Sequence, residues 1–136
     1  MRVYIDSGAF IAFLDRSDGL HSDVVALFAE MPRGCATSSH VVAETYSWFL
    51  HKLGEDRARL FRLFLADLNT VQILHSDEEH RAKVDRKLEA LRGQKLTWVD
   101  ASSLVWLDDL GIPLVWGTDQ HLGLGGASVI PGPRRR

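Results

Sequence analysis

The chain has a single cysteine, Cys35, so no internal disulfide can form, and a small buried hydrophobe beside a strand is its plain reading. No apolar run approaches the roughly 20 residues a membrane span requires. The opening MRVYID meets an acid at position 6, too early for the apolar core of a signal peptide. These absences together point to a cytoplasmic protein with no membrane partner. Nor is there an excess of base. Sixteen Lys and Arg face 18 Asp and Glu, for a net charge of −2, so any basic surface must be local. Arg supplies 12 of the 16 bases. That suits forked contacts with phosphate, and it reads equally as genome composition.

Several catalytic signatures are also missing. There is no GxxxxGK(S/T) loop, no GxGxxG after a strand and no GxSxG elbow, which leaves an NTPase, a dinucleotide enzyme or a serine hydrolase poorly supported. The glycines of GLGGA, at 123, 125 and 126, open no helix and read as a flexible connection. His21, His40, His51, His75, His80 and His121 are scattered without HExxH spacing, so nothing suggests zinc. His121, two residues past Asp119, is the one placed to line a site there. An aspartyl-phosphate enzyme built on Asp6 needs a Lys near a late strand, and the last Lys, Lys95, precedes the fourth.

What is present alternates. Arg2–Ile5, Gly34–Ser38, Val71–Leu74, Ile112–Trp116 and Ser128–Ile130 read as short strands. Helices are expected over Ser7–Leu14, Ser22–Met31, from Ser38 or Ser39 to Leu53, Glu55–Leu68, from the Asp77 cap to Leu91, and from about Asp100 to Leu110. In the second helix Val25, Leu27, Phe28 and Ala29 are expected inward. Val42, Tyr46, Phe49 and Leu53 make one stripe in the third, and Leu60, Phe61, Phe64, Leu65 and Leu68 another in the fourth. At 136 residues, one domain over 1–130 with a Pro- and Arg-rich tail over 131–136 is the natural division. The pattern predicts an α/β fold, a three-layer α/β/α sandwich on a mainly parallel sheet of about five strands.

In such sheets ligands bind beyond the carboxyl ends of the strands. Asp6 ends the first apolar run, and Gly117-Thr118-Asp119 follows the fourth. Glu44 lies in the helix after the second strand, at the edge of its stripe. Asp100 follows Leu96-Thr97-Trp98-Val99 at the mouth of a helix. Taken singly, Asp6, Asp100 and Asp119 read as helix caps and Glu44 as a solvated residue. Taken together they share strand ends and hydroxyl neighbours at Ser7, Thr97 and Thr118. Carboxylates gathered this way repel unless a hard cation, Mg²⁺ or Mn²⁺, lies among them.

The segments VYIDSGAFIAFLD, SSHVVAETY, LTWVDASSLVWLDDLGI and VWGTDQHL, in that order, resemble those of PIN domains, and length and order are similar to VapC-type toxins. The resemblance implies a metal-dependent endoribonuclease, the toxin of a toxin–antitoxin pair. It maps the family's acids onto Asp6, Glu44, Asp100 and Asp119, and its hydroxyls onto Ser7, Thr97 and Thr118. It also implies a homodimer and a cognate antitoxin. The helix pair Ser39–Leu68, with Trp48, Phe49, Leu50, Phe61, Phe64 and Leu65, is the expected docking surface, or simply a bulky core. Trp98 and Trp116 depart from the family pattern and are expected in the core, or narrowing the mouth of the site. Arg16, Arg33 and Arg134–Arg136 are candidates to touch phosphates. An RNA-processing nuclease without an antitoxin, and a catalytically silent interaction module, remain as alternatives.

Overall fold

Val3–Ile5, β1, is buried at every residue and forms the centre of the sheet. The structure is a computed structural model that describes residues 1–133; the expectation for Arg134–Arg136 lies outside the described residues. After β1 come α1 (Ser7–Leu14), α2 (His21–Ala29), β2 (Cys35–Ser38), α3 (Ser39–Leu53) and α4 (Glu55–Asp67). Then follow β3 (Val71–Leu74), α5 (Glu78–Ala90), α6 (Trp98–Leu110), β4 (Leu114–Gly117), a 3-10 turn (Gln120–Gly123) and β5 (Ser128–Pro131). No helix among the described residues is long and apolar enough to cross a membrane.

The strands lie in the order β3-β2-β1-β4-β5, and every pair is parallel. Parallel central strands are covered on both faces, so they read as unbroken apolar runs. β1 and β2 are buried throughout, whereas the edge strands β3 and β5 are largely half-buried. The chain steps outward from β1 to β2 to β3, then crosses back over β1 to β4. With right-handed crossovers this puts α1 to α4 on one face and α5 and α6 on the other, the expected three layers. On the first face Phe10 meets Phe61 edge-on at 5.4 Å, and Phe49 stacks on Phe61 at 5.8 Å. On the second, Val84 packs with Ala101 and Val105.

The helix faces differ from expectation by one position in two places. In α3 the buried residues are Val41, Thr45 and Phe49; Val42 and Tyr46 are half-buried and Leu53 is exposed. Thr45 can occupy this face because its hydroxyl donates to the Val41 carbonyl at 2.7 Å. In α2 Val24 is fully buried and Val25 faces outward, as does Ala29. Leu60 of α4 is exposed rather than part of the buried stripe, alongside Leu63. Trp116 is buried as expected, but Trp98 is 40% exposed, because it sits at the first residue of α6 rather than in a strand.

Candidate metal centre

The order β3-β2-β1-β4-β5 reverses direction at β1, so the carboxyl ends of β1 and β4 bound the crevice where ligands bind in such sheets. Asp6 leaves β1 at that point. Its backbone N–H donates to the Trp116 carbonyl of β4 at 2.9 Å, which locks it to the neighbouring strand end. Asp6 occupies the cap position of α1, yet its side chain makes no cap hydrogen bond. Capping therefore does not explain an aspartate that is only 5% exposed.

The remaining acids arrive from other elements. Asp119 follows β4 and caps the 3-10 turn, accepting the His121 backbone N–H at 2.9 Å. Asp100 does not follow a strand, contrary to expectation: Thr97 caps α6 and Asp100 is the third helical residue. The two form a reciprocal box. The Asp100 N–H donates to Thr97 Oγ1 at 3.0 Å, and the Thr97 N–H donates to Asp100 Oδ2 at 3.1 Å. Glu44 projects from α3, half-buried, into the cleft that Ser7 also lines.

All four acids, with Ser7 and Thr118, line one cleft of about 450 Å³. Thr97 is not among its lining residues and acts there only through Asp100. Asp15 and Asp18 line the cleft as well, which makes six carboxylates and no Lys or Arg among the described residues of its lining. The electrostatic result is visible at each buried acid. Asp6 is pushed up to about 7, chiefly by burial, with Glu44, Asp100 and Asp119 adding to it against the opposing Ser7 N–H bond. Burial also raises Glu44, with Asp100 and Asp119 contributing and the Ser7 bond opposing. Asp100 is raised by burial first and then by Asp119, whose carboxylate lies within hydrogen-bond reach.

Oxygen atoms of Asp100 and Asp119 and a ring nitrogen of His121 all lie within 4.8 Å of one another, close enough to share one ion. His121 Nδ1 stands 3.0 Å from Asp119 Oδ1. A cluster of carboxylate oxygen donors, with no basic side chain among the described residues of its lining, fits a hard divalent cation.

The deciding comparison is with known families. Residues 3–122 match the model described as PIN domain. The chain belongs to the PIN domain family. PIN domains are in general nucleases, and such nucleases use a divalent metal. Comparison by sequence with curated proteins finds no match. Among solved structures, the VapC20 toxin of Mycobacterium tuberculosis, described as cleaving the sarcin-ricin loop, superposes with a TM-score of 0.85 at 20% identity. The likeness covers 93% of this chain and 96% of that one, and it establishes the shared fold.

Two glycines of this PIN domain were not singled out by residue chemistry, although the site depends on them. A Cβ on Gly8 would collide with Thr118 Oγ1 and come within 3.0 Å of the Thr118 nitrogen. A Cβ on Gly117 would come within 3.2 Å of the Asp6 Cβ. The segments SGAF and WGTD carry these glycines beside the acids, and that adjacency is the signal that could have found them. Asp15 and Asp18 lie in the turn after α1 and were not among the expected site residues. They do serve the turn, bonding the Ser17 and Leu20 backbone N–H groups, while also lining the cleft.

Proposed function

We propose that this PIN domain is a divalent-metal-dependent endoribonuclease and the toxin of a toxin–antitoxin pair. The observation that carries the reading is the cleft of six carboxylates with no Lys or Arg among the described residues that line it. An RNA phosphodiester is anionic and has no reason to enter such a cleft unless a cation is held there.

Asp6, Asp100 and Asp119 are the residues that would hold Mg²⁺ or Mn²⁺, Asp119 directly or through water. When bound, the ion supplies Lewis acidity toward the phosphate and a lowered pKa for its water. Glu44 sits across the cleft, half-buried and with its pKa raised, and so is suited to orient the attacking water and take up its proton, or to hold a second ion. Ser7 lies close enough to Glu44 to oppose the rise in its pKa and is placed to orient that carboxylate. Thr97 clamps Asp100 through the capping box, and Thr118 occupies the space that Gly8 leaves open.

RNA as substrate is supported by the described target of the VapC20 toxin. A homodimer and an antitoxin are supported by exposed Val25, Leu53, Leu60 and Leu63 on α2 to α4. The large residues expected to form that surface, Phe49 and Phe61 among them, are instead buried or packed against the core.

The test is cleavage of a mixed RNA pool and of single-stranded DNA of matching sequence, with Mn²⁺ and then with EDTA. Internal cuts in RNA that need Mn²⁺ and stop with EDTA are expected. Equal cutting of DNA would contradict the substrate class, and cutting that persists in EDTA would contradict the metal.

A further inference from the structure

The sheet hides a hydroxyl network directly beneath the acids. Tyr4 of β1 is fully buried, and its O–H donates to Ser38 Oγ at 2.9 Å. Ser103 Oγ lies 2.8 Å from the same phenol oxygen. A phenol has one proton, and it is committed to Ser38, so the Ser103 hydroxyl donates to Tyr4. Ser38 accepts a second bond, from the Val41 N–H at 3.2 Å, as the cap of α3. Ser38 and Ser103 are themselves fully buried.

These three residues belong to three different elements, β1, β2 and α6, and each lies close along the chain to one acid of the cleft. Tyr4 stands two positions before Asp6, Ser38 caps the helix bearing Glu44, and Ser103 lies one helical turn beyond Asp100 on α6. A fourth hydroxyl strengthens the same corner: Thr37 Oγ1 donates to the Ile5 carbonyl, next to Asp6, at 2.7 Å. Apolar packing alone would hold β1 against α6 and α3, and a phenylalanine would fill the same space. What the hydroxyls add is direction. A buried hydrogen-bonded network favours one relative placement of its members, whereas apolar contacts tolerate sliding.

We propose that the Tyr4 hydroxyl, bridging Ser38 and Ser103, is a positioning device that sets the spacing of Asp6, Glu44 and Asp100 and thereby the affinity of the site for a divalent ion. This rests on the metal-binding reading above. Tyr4 does not line the cleft and touches neither ion nor RNA; it acts through the elements it joins.

The experiment is calorimetric titration of the full chain with Mn²⁺, comparing wild type, Tyr4→Phe and Thr45→Val. Thr45 is an equally buried hydroxyl whose bond stays within α3, so its loss reports destabilisation without uncoupling the three elements. Tyr4→Phe is expected to weaken Mn²⁺ binding by about 10- to 100-fold, the effect typical of outer-sphere partners. RNA cleavage by this variant should recover as Mn²⁺ is raised. Thr45→Val should bind Mn²⁺ as wild type does. Unchanged Mn²⁺ affinity in a folded Tyr4→Phe protein overturns the proposal, as does equal weakening in Thr45→Val. If Tyr4→Phe does not fold, Ser103→Ala removes only the α6 end of the bridge, and wild-type affinity there is equally fatal. Absence of Mn²⁺ binding by the wild type is a different failure: it overturns the metal reading itself.

Discussion

Gly8 and Thr118 approach so closely that no side chain fits between them: a Cβ on Gly8 would overlap Thr118 Oγ1 and crowd its backbone nitrogen at 3.0 Å. The contact joins the first turn of α1 to the loop that carries Asp119. Alanine is ordinarily the better helix residue by about 1 kcal/mol. Here the collision includes main chain, which cannot swing away. Gly8→Ala is therefore expected to lower stability, by about 1–3 kcal/mol for an overpacked site, and to displace Asp119. A thermal melt with and without Mn²⁺ checks both effects, the second as a smaller shift on adding metal.

The raised pKa of Asp6 makes the metal-free protein sensitive to pH. Its ordinary value is 3.8 and its folded value about 7. Between the two the folded state holds a proton that the unfolded chain has lost, so this group's contribution to stability falls as pH rises from about 4 to about 7, and stays low above. Mn²⁺ competes with that proton, so metal affinity should rise over the same interval and then level. Melting midpoints at pH 5, 6 and 8 for wild type and Asp6→Asn check the sign. The variant should lack this component and, without metal, be the more stable protein at pH 8.

The Thr97 capping box serves α6 and Asp100 together. Thr97→Ala should cost about 1 kcal/mol, the usual value of a lost cap, and weaken Mn²⁺ binding by freeing Asp100. Thr97→Ser keeps the hydroxyl and should restore both. A denaturant midpoint and a Mn²⁺ titration on the pair separate stability from positioning.

How much of this was legible in the sequence depends on the kind of signal. Asp6 and Asp119 were readable because a short apolar run stops at each, and a parallel sheet gathers strand ends. Asp100 was found for a partly wrong reason: it was grouped with the strand ends, but Leu96 and Thr97 lie in the loop before α6 and Trp98 and Val99 already belong to that helix. The face of α3 was misread by one residue because Val41 and Val42 are both apolar and because Thr45, polar in a sequence, is buried through a bond to its own helix. Tyr4, Ser38 and Ser103 lie 34 and 99 residues apart along the chain, and no periodicity connects them. The glycines at 8 and 117 matter through what a missing Cβ allows, which only the packed structure displays.

The most direct test of the central claim is cleavage of a mixed RNA pool by wild type and Asp6→Asn across a Mn²⁺ titration, both proteins first shown to be folded. Wild type should cut with a saturable dependence on Mn²⁺. Asp6→Asn, with one charge removed and its shape kept, should not cut at any concentration tested. Cutting by Asp6→Asn at the wild-type rate and the same Mn²⁺ dependence would contradict the account, because the buried acid at the end of β1 would then not be holding the ion.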